Sequence, residues 1–205
     1  MRNAIMLCLF TLITAPALTA QELSHHNFKI TRASQSELLT QQTIRQSFQD
    51  SQGLMWFLTQ EGLHRFDGYT VTRYTANEED AGSITHNNVR QILEDKLGTI
   101  WIATTGGGLI SYNPKTRSYS KLTEDQQGNS LLSENISAIF EDDAGLIWIG
   151  YLEGKVSYYD PLEKTLHHIQ KLNHSEDHYG AILDFAQHSY RNIWIATREG
   201  GLLSY

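Results

Sequence analysis

Four histidines close together in sequence, His167, His168, His174 and His178, are the side chains best suited to holding a transition metal. His167 and His168 fall on an extended segment, where neighbouring side chains point to opposite faces, so the pair does not converge on one ion. His174 and His178 lie in a polar loop and read as solvated. The acidic runs Glu78-Glu79-Asp80 and Glu141-Asp142-Asp143 lack the alternating oxygens and distal Glu of a calcium loop, and read as solvated turn charges. Gly106-Gly107-Gly108 could in principle cradle a phosphate. A phosphate loop, however, opens a helix and carries Lys and Ser or Thr behind it, whereas this triplet joins two β-type segments and reads as a tight hairpin. No Ser has the flanking glycines of a nucleophile elbow. A carboxylate pair gathered around a channel would suit glycan hydrolysis, but no residue pattern points to one. The sequence therefore assigns no catalytic residue, no metal ligand and no cofactor, and it names no ligand-binding residue.

The elements that must position any such site repeat. Val89 to Tyr112 reads VRQILEDKLGTIWIATTGGGLISY. Ile44 to Phe66 reads IRQSFQDSQGLMWFLTQEGLHRF, Ile136 to Tyr158 reads ISAIFEDDAGLIWIGYLEGKVSY, and Ile182 to Tyr205 reads ILDFAQHSYRNIWIATREGGLLSY. The tryptophans Trp56, Trp101, Trp148 and Trp194 hold the same place in each copy, at spacings of 45, 47 and 46 residues. A fixed period of this size is the mark of a repeat architecture.

Each copy begins with a short apolar strand, such as Val89 to Leu93. An Asp-to-Gly turn follows, as in Asp95-Lys96-Leu97-Gly98, because Asp bonds its own backbone and Gly accepts positive φ. Next comes a β-branched and aromatic run, Ile100 to Thr104, too short for a helix. A second Gly turn leads to a third strand ending on Phe66, Tyr112, Tyr158 or Tyr205. More polar fourth strands are expected at Tyr69 to Tyr74, Ser118 to Leu122 and Thr165 to Ile169. Four antiparallel strands in about 45 residues make an all-β propeller blade. The repeating Trp is expected to be a plug between blades, since one blade cannot bury both its faces.

The pattern IxxIxEDxxGxIWIxTxGGGLxxYxP resembles the two-component regulator propeller repeat, over about Phe28 to Tyr205. The opening copy is similar to that family's first blade. The fourth copy departs, with His188 and Arg191 where the turn Asp and Gly stand elsewhere, so an irregular first hairpin is expected there. The resemblance implies a periplasmic ligand-sensing or interaction propeller, the input part of a membrane-spanning signalling protein. Its output would be a histidine kinase or a diguanylate cyclase, whose machinery is not in this sequence. The alternative is a propeller enzyme acting on glycans, a hydrolase or lyase.

In chain order, residues 1–20 read as a signal peptide. Arg2 gives a positive start, Ala4 to Ala15 an apolar stretch too short to span a bilayer comfortably, and Ala15-Pro16-Ala17 and Leu18-Thr19-Ala20 small residues for cleavage. Cleavage is expected after Ala20, giving a periplasmic chain or the outer part of an inner-membrane protein. Cys8 is the sole cysteine, so the mature chain has no disulfide to read. Residues 21–43 form a lead-in, with Phe28 to Ile30 a candidate ring-closing strand. The repeats span 44–88, 89–135, 136–181 and 182–205, the last incomplete; about four copies suggest part of a larger propeller.

Net charge is −7, and −8 once Arg2 is removed with the leader. An acidic chain without basic clusters argues against nucleic-acid partners and anionic membrane surfaces. The expected partners are a small-molecule, peptide or glycan ligand, signalling domains of the same parent protein, and a second copy in a homodimer. The linkers Thr75 to Asn88, Thr123 to Asn135 and Gln170 to Ala181 are long and polar. They belong to the face of the second-to-third hairpins, where ligand contacts are expected.

Overall fold

A computed structural model describes residues 43–76, 84, 86–170, 179–188 and 192–205. The leader, the candidate closing strand at Phe28 to Ile30, the run Glu78 to Asp80, and His174 and His178 lie outside them.

The described residues form four antiparallel sheets in sequence order. The first holds β1 (Ile44–Gln49), β2 (Met55–Thr59), β3 (Gly62–Phe66) and β4 (Val71–Tyr74). The second holds β5 (Val89–Glu94), β6 (Ile100–Thr104), β7 (Leu109–Asn113) and β8 (Ser118–Leu122). The third holds β9 (Ile136–Glu141), β10 (Ile147–Tyr151), β11 (Val156–Asp160) and β12 (Thr165–His168). The fourth has three strands, β13 (Ile182–Gln187), β14 (Ile193–Thr197) and β15 (Leu202–Ser204). Every strand pairs with its sequence neighbour, the up-and-down order of propeller blades.

Alternation along the second strand of each blade builds the core. Trp56 and Leu58 point to the next blade and meet Val89, Ile92, Ile100 and Ile102. In β6, Ile100 and Ile102 face back to the first blade, while Trp101 and Ala103 face forward to Ile136, Ile147 and Ile149. Trp148 repeats the forward contact against Ile182, Phe185, Ile193 and Ile195. Trp56, Trp101 and Trp148 are therefore the expected plugs between blades, exposed by 0%, 5% and 3%. Trp194 is 37% exposed, with no blade among the described residues in front of it.

The turn Asp does more than shape a hairpin. Asp50, Asp95 and Asp142 accept a hydrogen bond at Oδ2 from the indole Nε1 of Trp56, Trp101 and Trp148, at 2.8, 2.7 and 2.8 Å. Oδ1 of Asp95 also accepts from the backbone N–H of Leu97 and Thr99, at 2.9 and 2.8 Å. Gly98 closes this turn at φ +80°, where a side chain would be strained.

Glu141 and Asp142 correct the expectation of solvated turn charges. Asp142 is buried under Trp148, and Glu141 Oε1 accepts the backbone N–H of Lys96 in the preceding blade at 3.0 Å. The same bond recurs at each junction: Ser51 N–H to Glu94 at 2.6 Å and Asp143 N–H to Gln187 at 2.6 Å. The residue closing each first strand thus locks the neighbouring blade's turn.

The fourth blade keeps its first-to-second strand pairing despite His188. Its register runs from Ile182–Thr197 to Gln187–Ile193, and His188 N–H still donates to Asn192 O at 3.0 Å. The strands thus pair up to this hairpin, whose residues 189–191, with Arg191, lie outside the described residues.

Candidate functional site

Topology requires that the linkers and the second-to-third hairpins share a face, and backbone bonds tie them there. Thr105 N–H donates to Asn88 O at 3.0 Å, Leu152 N–H to Asn135 O at 3.0 Å, and Arg198 N–H to Ala181 O at 2.9 Å. The Gly106 and Gly108 N–H groups both donate to Glu134 O at 3.0 Å. Those two donors of the Gly triplet are spent on the next linker, consistent with a hairpin.

Among the described residues, several polar groups of this face are engaged with one another. Glu153 accepts from Ser133 Oγ and Asn135 Nδ2, both at 3.0 Å. Burial pulls the Glu153 pKa up, but the Asn135 and Ser133 hydrogen bonds outweigh it and the net shift is downward. Lys121 pairs with Glu134, and Arg73 with Glu61 at 3.5 Å.

At the inner end of the face, each first strand is bulged at its second residue. The register breaks between Ile44 and Gln46, between Val89 and Gln91, opposite Gly150 and Tyr151, and between Ile182 and Asp184. The bulged residues are Arg45, Arg90, Ser137 and Leu183. A bulge re-aims a side chain out of the ladder, and bulges are frequent beside binding sites. Arg45 Nη1 donates to Asn88 Oδ1 at 3.0 Å, and Ser137 Oγ to Gly150 O at 3.2 Å. Arg90 is half-buried. Burial lowers its pKa, and the charges of Arg45 and Arg198 lower it further.

A concavity of about 660 Å³ opens between the second and third blades. Trp101 and Tyr159 meet edge to face in its wall, their centroids 5.6 Å apart, with Ser111, Ser120, Lys121 and Asp125 around them. Asp125 gives the second linker a folded form. Against desolvation, hydrogen bonds from the Asn129 side chain and from the Leu166, Asn129 and Gln127 N–H groups hold its carboxyl far below the usual range.

His167 and His168 point to opposite faces. His167 stacks on Tyr158 at 4.9 Å, while His168 Nδ1 shares a 2.9 Å hydrogen bond with Ser157 Oγ. Among the described residues no group of three His, Cys, Asp or Glu side chains could hold a metal ion. The placement of Arg45 and Arg90 at equivalent bulges of adjacent blades was not read from the sequence. Its one visible signal is Arg at the second position of the first two copies, IRQ and VRQ.

The family model of the two component regulator propeller matches residues 83–106 and 130–152. No curated protein matches the chain. Among solved structures, the extracellular domain of BT3049 from B. thetaiotaomicron, described as a hybrid two component system, is similar at 26% identity and a TM-score of 0.70, over 78% of this chain and 23% of that one. The extracellular domain of BT4673 from the same organism, also described as a hybrid two component system, is similar at 26% identity and a TM-score of 0.64, with the same coverage. This chain thus spans less than a quarter of the length of either. A virginiamycin B lyase from Staphylococcus aureus, 11% identical over 79% of this chain and 55% of its own, has a TM-score of 0.53 and shares the fold alone. Residues 83–106 and 130–152, which hold parts of the second and third blades, are thus similar to the two component regulator propeller repeat.

Proposed function

We propose that this chain is a ligand-sensing propeller outside the cytoplasm, exported by its N-terminal signal. It would be the input part of a membrane-spanning signalling protein with a histidine kinase or diguanylate cyclase output. The likeness to extracellular domains of two component systems carries this proposal. Two further features support it. The linker ends at Asn88, Asn135 and Ala181 are tied by backbone hydrogen bonds to the rigid blades, and loops on a rigid scaffold are the usual setting for binding residues. The forward face of the fourth blade leaves Trp194 and Leu202 uncovered, as suits a blade that docks onto further repeats of a longer protein.

Binding is proposed on the linker face, to a small molecule, peptide or glycan, with signalling domains of the same parent protein and a second copy of the chain as further partners. The test is calorimetric titration of the chain with periplasmic glycans, peptides and small anions, followed by a turnover assay on whatever binds. Binding without turnover is expected. Conversion of a bound glycan would make the chain a hydrolase or lyase instead.

A further inference from the structure

The repeat makes each junction between blades a template for the others. Arg65 stands opposite Trp56, Ser111 opposite Trp101 and Tyr158 opposite Trp148. Thr72, Ser120 and His167 are the next residues across the sheet. Directly opposed residues share a face, so all of them stand on the forward face with the Trp. Where the first blade meets the second, the Arg65 guanidinium sits over the rings of Trp56 and Tyr74, 5.9 and 5.7 Å from their centroids. Tyr112 of the second blade meets the same Trp edge-on at 5.8 Å. Where the third blade meets the fourth, Tyr158 packs on Trp148 at 5.4 Å and His167 stacks on Tyr158 at 4.9 Å. Both junctions thus place a planar polar group of the chain itself beside the Trp.

The middle junction keeps the aromatic walls, Trp101 and Tyr159 edge to face, but has serine at both covering positions. Leu122 stands there in the place of Tyr74. These smaller side chains account for the concavity of about 660 Å³, lined by Ser111, Ser120, Leu122, Trp101 and Tyr159. Its size is that of a small-ligand site. The charged side chains around it are Lys121, Lys164, Glu124 and Asp125, and Lys121 pairs with Glu134. Two cations therefore meet three carboxylates, a balance that favours a positive ligand over an anion. The serine hydroxyls add acceptors for N–H donors. A guanidinium meets each of these terms: it is planar, cationic and weakly hydrated, carries five donors, and packs on aromatic rings. We infer that the groove between the second and third blades binds a guanidinium group, in the place that Arg65 fills one junction earlier. Its carrier is a small guanidino compound or an arginine side chain of a peptide. The inference does not rest on the ligand proposed for the linker face.

The experiment is isothermal titration of the full chain with agmatine, with the peptides Gly-Arg-Gly and Gly-citrulline-Gly, and with glucose. Agmatine and the arginine peptide are expected to bind at one site per chain, and the uncharged citrulline peptide and glucose are not. Ser111→Arg supplies the first blade's own covering residue and should weaken both guanidinium ligands about tenfold or more while the chain still folds. If that variant fails to fold, Ser111→Tyr, with the third blade's residue, serves in its place with the same expected loss. Glu124→Gln removes an exposed charge of the lining and should weaken binding about two- to fivefold. Agmatine binding without the peptide would assign the site to small guanidino compounds, and peptide binding without agmatine to an arginine-bearing segment; both keep the site. Equal binding of the citrulline peptide, affinity unchanged in the Ser111 variant, or no heat with either guanidinium would overturn it. Glucose binding while both guanidinium ligands stay silent would overturn it too and make the groove a sugar site. Each of these failures would leave the linker-face proposal standing.

Discussion

At the scale of single residues, one aspartate per blade joins the turn to the core. Asp95 takes the indole N–H of Trp101 on one oxygen and two turn amides on the other. A buried indole needs an acceptor, and the turn carboxylate is the nearest group that can supply one. The sequence made the Trp legible as a plug because its period is visible. The second role of the Asp was hidden, because turn formation alone already accounts for an Asp there. Trp101→Ala should destabilise the chain by about 3–5 kcal/mol, through lost burial and an unfilled cavity. Trp194→Ala removes a half-covered ring and should cost only about 1–2 kcal/mol. Urea denaturation of both variants checks the contrast, and equal losses would mean that the blade register is wrong. Asp67 offers a pH test. Backbone N–H groups of Thr70 and Tyr69, with the Thr70 hydroxyl, hold its carboxyl down at about 2. A depressed carboxylate contributes stability above its unfolded pKa and loses it as pH falls through the folded one. The stability gap between wild type and Asp67→Ala should therefore be constant at neutral pH, shrink between about pH 4 and pH 2, and vanish below, as denaturation across that range would read.

At the scale of elements, blades are joined by repeated side-chain-to-backbone bonds as well as by apolar contact. Gln46 accepts the Ile92 N–H at 3.0 Å and donates to the Ile92 carbonyl at 3.1 Å, and Gln91 accepts the Ile139 N–H at 2.8 Å. The third copy has Ala138 in this register and joins the fourth blade by close packing instead. A Cβ on Gly150 would stand 2.5 Å from Ile182 Cγ2 and 2.6 Å from its Cβ. Gly150→Ala should therefore cost about 1–3 kcal/mol despite its single added carbon. Ala103, one blade earlier at the same register, shows that the strand itself tolerates a methyl. A Tm unchanged by Gly150→Ala would mean that the third and fourth blades do not meet so closely. Strand positions were largely readable from the sequence. Ile100 to Thr104 and Ser118 to Leu122 are strands with the expected ends, and the expected Tyr69 to Tyr74 shortens to Val71–Tyr74. Tyr69 is lost because Asp67 folds Tyr69 and Thr70 into a turn. The Gln and Glu bonds between blades were unreadable, because their partners lie more than 40 residues away, and only a known blade-to-blade register brings them together.

At the scale of the whole molecule, charge and repetition set what the chain can meet. A net charge of −7 disfavours nucleic acid and anionic lipid. Repeats whose neighbours supply the core leave a forward face at the fourth blade, where Trp194 and Leu202 meet no further sheet among the described residues. Such a face suits docking against more repeats, while the linker face is the one proposed for the ligand. The sequence could place that face through topology alone. It could not place Arg45 and Arg90 at bulges of adjacent blades, because a bulge at the second residue of each first strand appears only with the pairing register. The central claim is that this propeller works outside the cytoplasm, where its ligand is met. The most direct measurement is the intact mass and N-terminal sequence of the protein recovered from fractionated cells. The proposal predicts a periplasmic chain that begins at Gln21, with Met1 to Ala20 removed. A cytosolic chain that retains Met1 would contradict it.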